Sequence, residues 1–180
     1  MTLSTLCLAL GVGVAVPNVY GLMNPAAFRA HVRGFARNTG YGYVLMAIAT
    51  AWFLLHVRDE NIADFASFKP LMYAGFGLLG VGTCLYLKDF LAVRGLALVL
   101  MLVAKFVLDT QRWHDSHWRW VLGVWAYVWI VAGIWFTVAP WRCRDFFAWK
   151  TETDARLKVG CALHLALGLL VAVLGLTVFK

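Results

Sequence analysis

Four side chains of this 180-residue chain could share a metal ion: His114 and His117, three residues apart, with Asp109 a little upstream and His56 farther off. Imidazole and carboxylate suit zinc, copper or nickel, and two histidines at that spacing can meet one ion from a single helical turn. The stretch Trp113-His114-Asp115-Ser116-His117-Trp118 matches no recognised zinc spacing, so pH-sensitive hydrogen bonding and ordinary interfacial histidines compete with the metal reading. His164 lies inside an apolar window, where it could ligate haem or touch a quinone. It has no transmembrane histidine partner on its side of the membrane, where His31 sits on the basic connection, and hydrogen bonding between helices is the simpler expectation. Trp125 and Trp129, one turn apart, could line a site for a quinone, pigment, carotenoid or lipid tail, or pack plainly. Cys7, Cys84 and Cys161 fall in apolar windows, whereas Cys143 beside Trp141 is juxtamembrane, a position for acylation at which a plain thiol is the stronger expectation. No cofactor is required by these residues; bound lipid, quinone, pigment or metal are the candidates.

The elements that must position these groups are membrane helices. Hydrophobic residues make up 62% of the chain, charged residues 14%, and mean hydropathy is +0.75, well beyond a soluble domain. A soluble enzyme, a nucleic-acid reader, a disordered tail and a two-domain protein are thereby excluded, and the net charge of +7 points to a membrane surface rather than to DNA. Charge-poor windows predict an all-α polytopic transmembrane bundle with spans at about 2–23, 39–57, 70–87, 90–108, 120–141 and 159–179, one integral-membrane domain in all. The fourth window is the weakest, since Arg94 and Lys105 bound its uncharged core; a re-entrant or interfacial segment is its alternative. Pro17 is expected to kink the first helix.

The first, third and fifth connections carry ten Lys and Arg against four acids, while the second and fourth carry five against five. The odd connections are therefore expected to be cytoplasmic and both termini outside. After Asn24-Pro25, the residues Arg29, Arg33 and Arg37 at i, i+4 and i+8 beside Phe28, Val32 and Phe35 predict a short basic amphipathic helix on the bilayer. Arg142 and Arg144 repeat the idea in the fifth connection, with Thr151 and Asp154 as a cap for the last helix. The three segments Asp64 to Lys69, Asp89 to Arg94 and Asp145 to Lys150 share a pattern without constant period, which excludes a solenoid and leaves hairpin duplication as a minor option.

Small residues mark helix packing. Gly75-Phe76-Gly77-Leu78-Leu79-Gly80 spells the dinucleotide-binding letters but lies within a span with no strand before it, so Gly77 and Gly80 are read as packing positions. Gly168, Ala172 and Gly175, with Cys161 two turns earlier, form a second packing face. Leu165 interrupts it and should confine the close approach to the outer half of the helix, against a neighbour in this chain or another.

No Asp or Glu occupies the clear windows, which is thin equipment for ion coupling. The expected function is a non-catalytic accessory or structural subunit of a larger membrane complex. Its partners would be membrane lipid and other membrane subunits or further copies, with no nucleic acid. A small-molecule or ion transporter and a redox or metal-binding protein using the external histidines are the alternatives. The last two spans, with Pro140, a basic linker and a glycine-containing final helix, resemble small two-span bacterial inner-membrane proteins of unknown function over a third of the chain. The resemblance implies a bacterial plasma membrane and brings no activity.

Overall fold

A computed structural model describes residues 2–61 and 63–179, the side chains of 63–65 excepted. Its helices are α1 (Leu3–Met23), α2 (Pro25–Phe35), α3 (Thr39–Asp59), α4 (Lys69–Tyr86), α5 (Leu91–Gln111), α6 (Arg119–Val138), α7 (Pro140–Lys150) and α8 (Asp154–Thr177), with a 3-10 turn at Ala63–Phe68. No strand occurs among the described residues. Six helices are long and apolar enough to cross a membrane, matching the six windows. The weak fourth window becomes α5, a full 21-residue helix more apolar than any other candidate span except α8.

Local chemistry sets the helix ends. Thr2 caps α1 by accepting the Thr5 N–H, and Asn38 caps α3 by accepting the Tyr41 N–H. Helix α8 begins five residues before the expected Val159, because Thr153 accepts the Arg156 N–H and Asp154 places a carboxylate at the positive end of the helix dipole. The expected cap by Thr151 is thus displaced by two residues. Pro140 cannot continue α6 and instead opens α7 at its first position, as Pro25 opens α2. Arg37 lies beyond the end of α2, in a turn, so the basic helix carries Arg29 and Arg33 only.

The chain packs as two compact units. The first comprises Met1–Gly34, Val103–Val131 and Arg144–Lys180. Its core gathers Leu3, Leu6 and Cys7 from α1, Ala104 and Val107 from α5, Leu122, Trp125 and Ala126 from α6, and Val171 and Leu174 from α8. Helices α1 and α8 run antiparallel with backbones in close approach. A Cβ on Gly175 would lie 2.7 Å from Cys7 Cβ, one on Gly168 would lie 2.9 Å from Gly11 O, and one on Gly21 would lie 2.9 Å from Cys161 Sγ. At one end the Ser4 hydroxyl donates to Gly175 O at 2.7 Å. The partner of the α8 small-residue face is therefore α1 of the same chain. The approach also runs past Leu165 as far as Cys161, beyond the half-helix expected, because Gly21 on α1 makes room for the Cys161 side chain.

The second unit comprises Phe35–Leu102 and Ala132–Cys143. Here Gly42 lies against Leu91 and Ala92, Gly95 against Leu45 and Met46, and Gly133 against Met101 and Ala97, so glycine again lets helices close up. Helix α4 rests on α3 through Gly80 on Thr50 and an edge-to-face contact of Phe53 with Phe76, ring centroids 4.7 Å apart. None of its residues is buried.

The repeated acid-aromatic segment has no common structure. The first copy falls on the 3-10 turn, with the side chains of Asp64 and Phe65 outside the described residues. The second enters α5 through Phe90 at φ 56°, a left-handed conformation that costs a non-glycine residue of the order of 1 kcal/mol. The third is continuous α7 helix.

Candidate functional site

The richest gathering of charged and aromatic side chains lies in the first unit, where α2 meets the C-terminal half of α7 and the turn into α8. Arg33 reaches across 118 residues of sequence to donate from Nε to Thr151 Oγ1 at 3.0 Å and from Nη2 to Thr151 O at 2.9 Å. Thr151 is buried and donates its own proton to Phe147 O at 2.7 Å, so the post that holds Arg33 is itself fixed. One turn earlier on α2, Arg29 pairs with Asp154. Both arginines of the basic helix thus fasten it to the α7–α8 turn.

Arg33, Arg144, Ala148, Trp149 and Glu152 line an open cleft of about 530 Å³. Arg144 is held by Asp145, with Nη2 to Oδ1 at 2.7 Å. Glu152 pairs with Arg156, whose guanidinium lies 5.5 Å from the Trp149 ring centroid. Across residues 25–34 and 144–158 there are six Lys and Arg and three Asp and Glu. Each of those three acids is already paired with an arginine. Arg33 is bound to neutral oxygens alone among the described residues, so no carboxylate pairs with it at the cleft.

Lys150, at the end of α7, lays its stem across Gly160; a Cβ there would come within 2.5 Å of Lys150 Cε. Burial lowers the ammonium pKa below the usual lysine range, and the adjacent Cys161 opposes the shift. Cys143 is fully buried in α7, and burial pushes its thiol up to about 12. That leaves about a thousandfold less thiolate at neutral pH than an ordinary cysteine has. Cys143 is accordingly expected to resist maleimide at pH 7.5 in the folded protein and to react within minutes once unfolded in SDS; equal labelling before and after would contradict its burial.

The residues proposed as metal ligands have other company. His114 Nδ1 accepts the Ser116 N–H at 3.2 Å, and its ring meets Phe179 edge-on at 5.0 Å. Asp109 pairs with Lys105 at 2.7 Å, His117 is exposed, and His56 stacks on Trp52 at 6.3 Å. Among the described residues no three His, Cys, Asp or Glu side chains form a group able to hold a metal ion. His164 turns back on its own helix, Nδ1 lying 2.7 Å from Gly160 O, instead of bridging helices, and is exposed. Trp125 and Trp129 meet with ring centroids 4.5 Å apart and planes tilted by 50°, and both belong to the first unit's core packing. Arg37 and Arg142 are exposed, and Gly77 has open space where a Cβ would be.

Sequence reasoning placed Arg29, Arg33 and Arg144 on basic segments but missed Thr151, Glu152 and Arg156 as their counterparts. Only the density of charge between Arg142 and Lys158 pointed there. Comparison with protein-family models, with curated proteins and with solved structures finds no match to this chain.

Proposed function

We propose that this chain is a non-catalytic integral-membrane subunit of a larger membrane complex, seated in a bacterial plasma membrane with both termini outside. The observation that carries this reading is helix α4. It is apolar enough to span, yet within its unit it packs chiefly on α3 and buries none of its residues. Leu71, Gly75, Leu78, Gly82 and Leu85 follow the 4, 3, 4, 3 spacing of a helix-packing seam. Leu71, Leu78 and Leu85 are exposed, and a Cβ on Gly75 or Gly82 would meet nothing. Glycines alternating with leucines along a bare seam suit a close-packed helix from another polypeptide better than they suit lipid, which gains nothing from the gaps.

The orientation rests on charge. The first and fifth connections hold eight of the sixteen basic residues, and within the first unit α2 and the α7–α8 turn lie together, as a common side requires. The test is extraction from the native membrane in mild detergent, followed by measurement of the native particle mass. Co-migrating polypeptides are expected. Gly75→Leu is expected to release the chain from them while leaving its melting temperature within about 2 °C of wild type, since no neighbour in the chain touches that position. A monomeric wild-type particle would reject the subunit reading.

A further inference from the structure

We infer that the cleft between α2 and α7 is a binding site for the phosphate headgroup of an anionic phospholipid. The inference rests on the cleft alone and stands whether or not the chain is a subunit. A phosphate diester needs a fixed cation, a second donor nearby and an apolar wall for the start of its chains. Arg33 supplies the first, because the buried Thr151 holds its guanidinium through two bonds to neutral oxygens. Its charge is left for an anion, whereas every carboxylate of the neighbourhood is engaged by another arginine. Arg144 on the facing helix supplies the second, and planar guanidinium groups match phosphate oxygens two at a time. Ala148 and Trp149 make the apolar side, and Phe146 stacks with Trp149 at 6.3 Å to extend it outward. Both aromatic rings are exposed.

Lipid rather than a soluble phosphoester is favoured by where the cleft opens. It lies beside the turn that leads into α8, at the end of an apolar helix that pairs with α1. Aromatic rings beside basic residues at a helix end occupy the headgroup level of a bilayer. Glu152 does not cancel the site, since Arg156 binds it, and with Arg144 held by Asp145 the cleft keeps the charge of Arg33.

The full chain in a neutral detergent would be titrated with short-chain phosphatidylglycerol and, separately, phosphatidylcholine, with bound lipid counted by native mass spectrometry. Phosphatidylglycerol is expected to bind about tenfold more tightly, and Arg144→Gln to remove most of that preference, the worth of one interfacial cation. Ala148→Phe fills the cleft and leaves every charge in place; it is expected to abolish the preference as well. Both variants are to be read at unchanged melting temperature, and Arg112→Gln, remote in the α5–α6 connection, is the control expected to behave as wild type. Equal binding of the two lipids would overturn the inference, as would a preference that survives Ala148→Phe, which would mark diffuse surface charge. Displacement of the lipid by millimolar glycerol phosphate would assign the site to a soluble phosphoester instead.

Discussion

Gly168→Leu is expected to lower the melting temperature of the isolated chain by roughly 6–12 °C, the equivalent of about 3 kcal/mol for a chain of this length. The position is fully enclosed. Even a methyl group would come within 2.9 Å of Gly11 O and 3.2 Å of Ala15 N, and backbone atoms cannot step aside as a flexible side chain can. Leucine adds three more carbons, so α1 and α8 must separate along much of their shared length. Gly77→Leu is the matched control, because Gly77 is also a helical glycine in an apolar span but has open space at the Cβ direction. It should shift melting by about 2 °C at most. Similar melting of the two variants would refute the α1–α8 interface. Because the partner of Gly168 is in the same chain, the loss should appear in a monomeric sample and should not depend on protein concentration.

Arg33→Ala is expected to free α2 without unfolding the rest. Two charge-assisted hydrogen bonds to Thr151 disappear, and hydrogen bonds involving a charged group are each worth about 1.5–3 kcal/mol. A net loss of about 2 kcal/mol corresponds to roughly 30-fold faster amide exchange through local opening. That acceleration should be confined to residues 25–35, which have no buried residue of their own to hold them down. Thr151→Val removes only the side-chain oxygen and keeps the carbonyl acceptor, so it should produce a smaller effect. The double variant should be less than additive, since both changes act on one contact. Unchanged exchange of α2 in Arg33→Ala would show that the helix is held by other means.

The contrast between these two contacts explains what could be read from residues alone. Helices were legible because a spanning helix needs only length and the absence of charge, and the windows at 2–23 and 39–57 carried both. The start of α8 was not, because Asp154, Arg156 and Lys158 broke the window although Thr153 caps a helix there. The small-residue face of α8 was legible from its own spacing. Its counterpart on α1 was overlooked, although Cys7, Gly11 and Ala15 recur every fourth residue, because a helix apolar on all sides gives no hint of which face is covered. The arginines of the cleft were visible as charge. Thr151 was not, since nothing periodic links a threonine to an arginine 118 positions away. Its side chain had a plausible local duty as a helix cap, and that duty fell to Thr153.

The pairing of α1 with α8 also orders events in time. Helix α1 leaves the ribosome well before its partner, with about 130 residues made between them, a wait of roughly six to twenty-six seconds at ordinary rates of synthesis. Through that interval the glycine face of α1 stands uncovered, and the first unit cannot close. A chain interrupted anywhere before Asp154 would keep that face bare, distinguishable from one that carries α8 by its readiness to pair with a foreign helix.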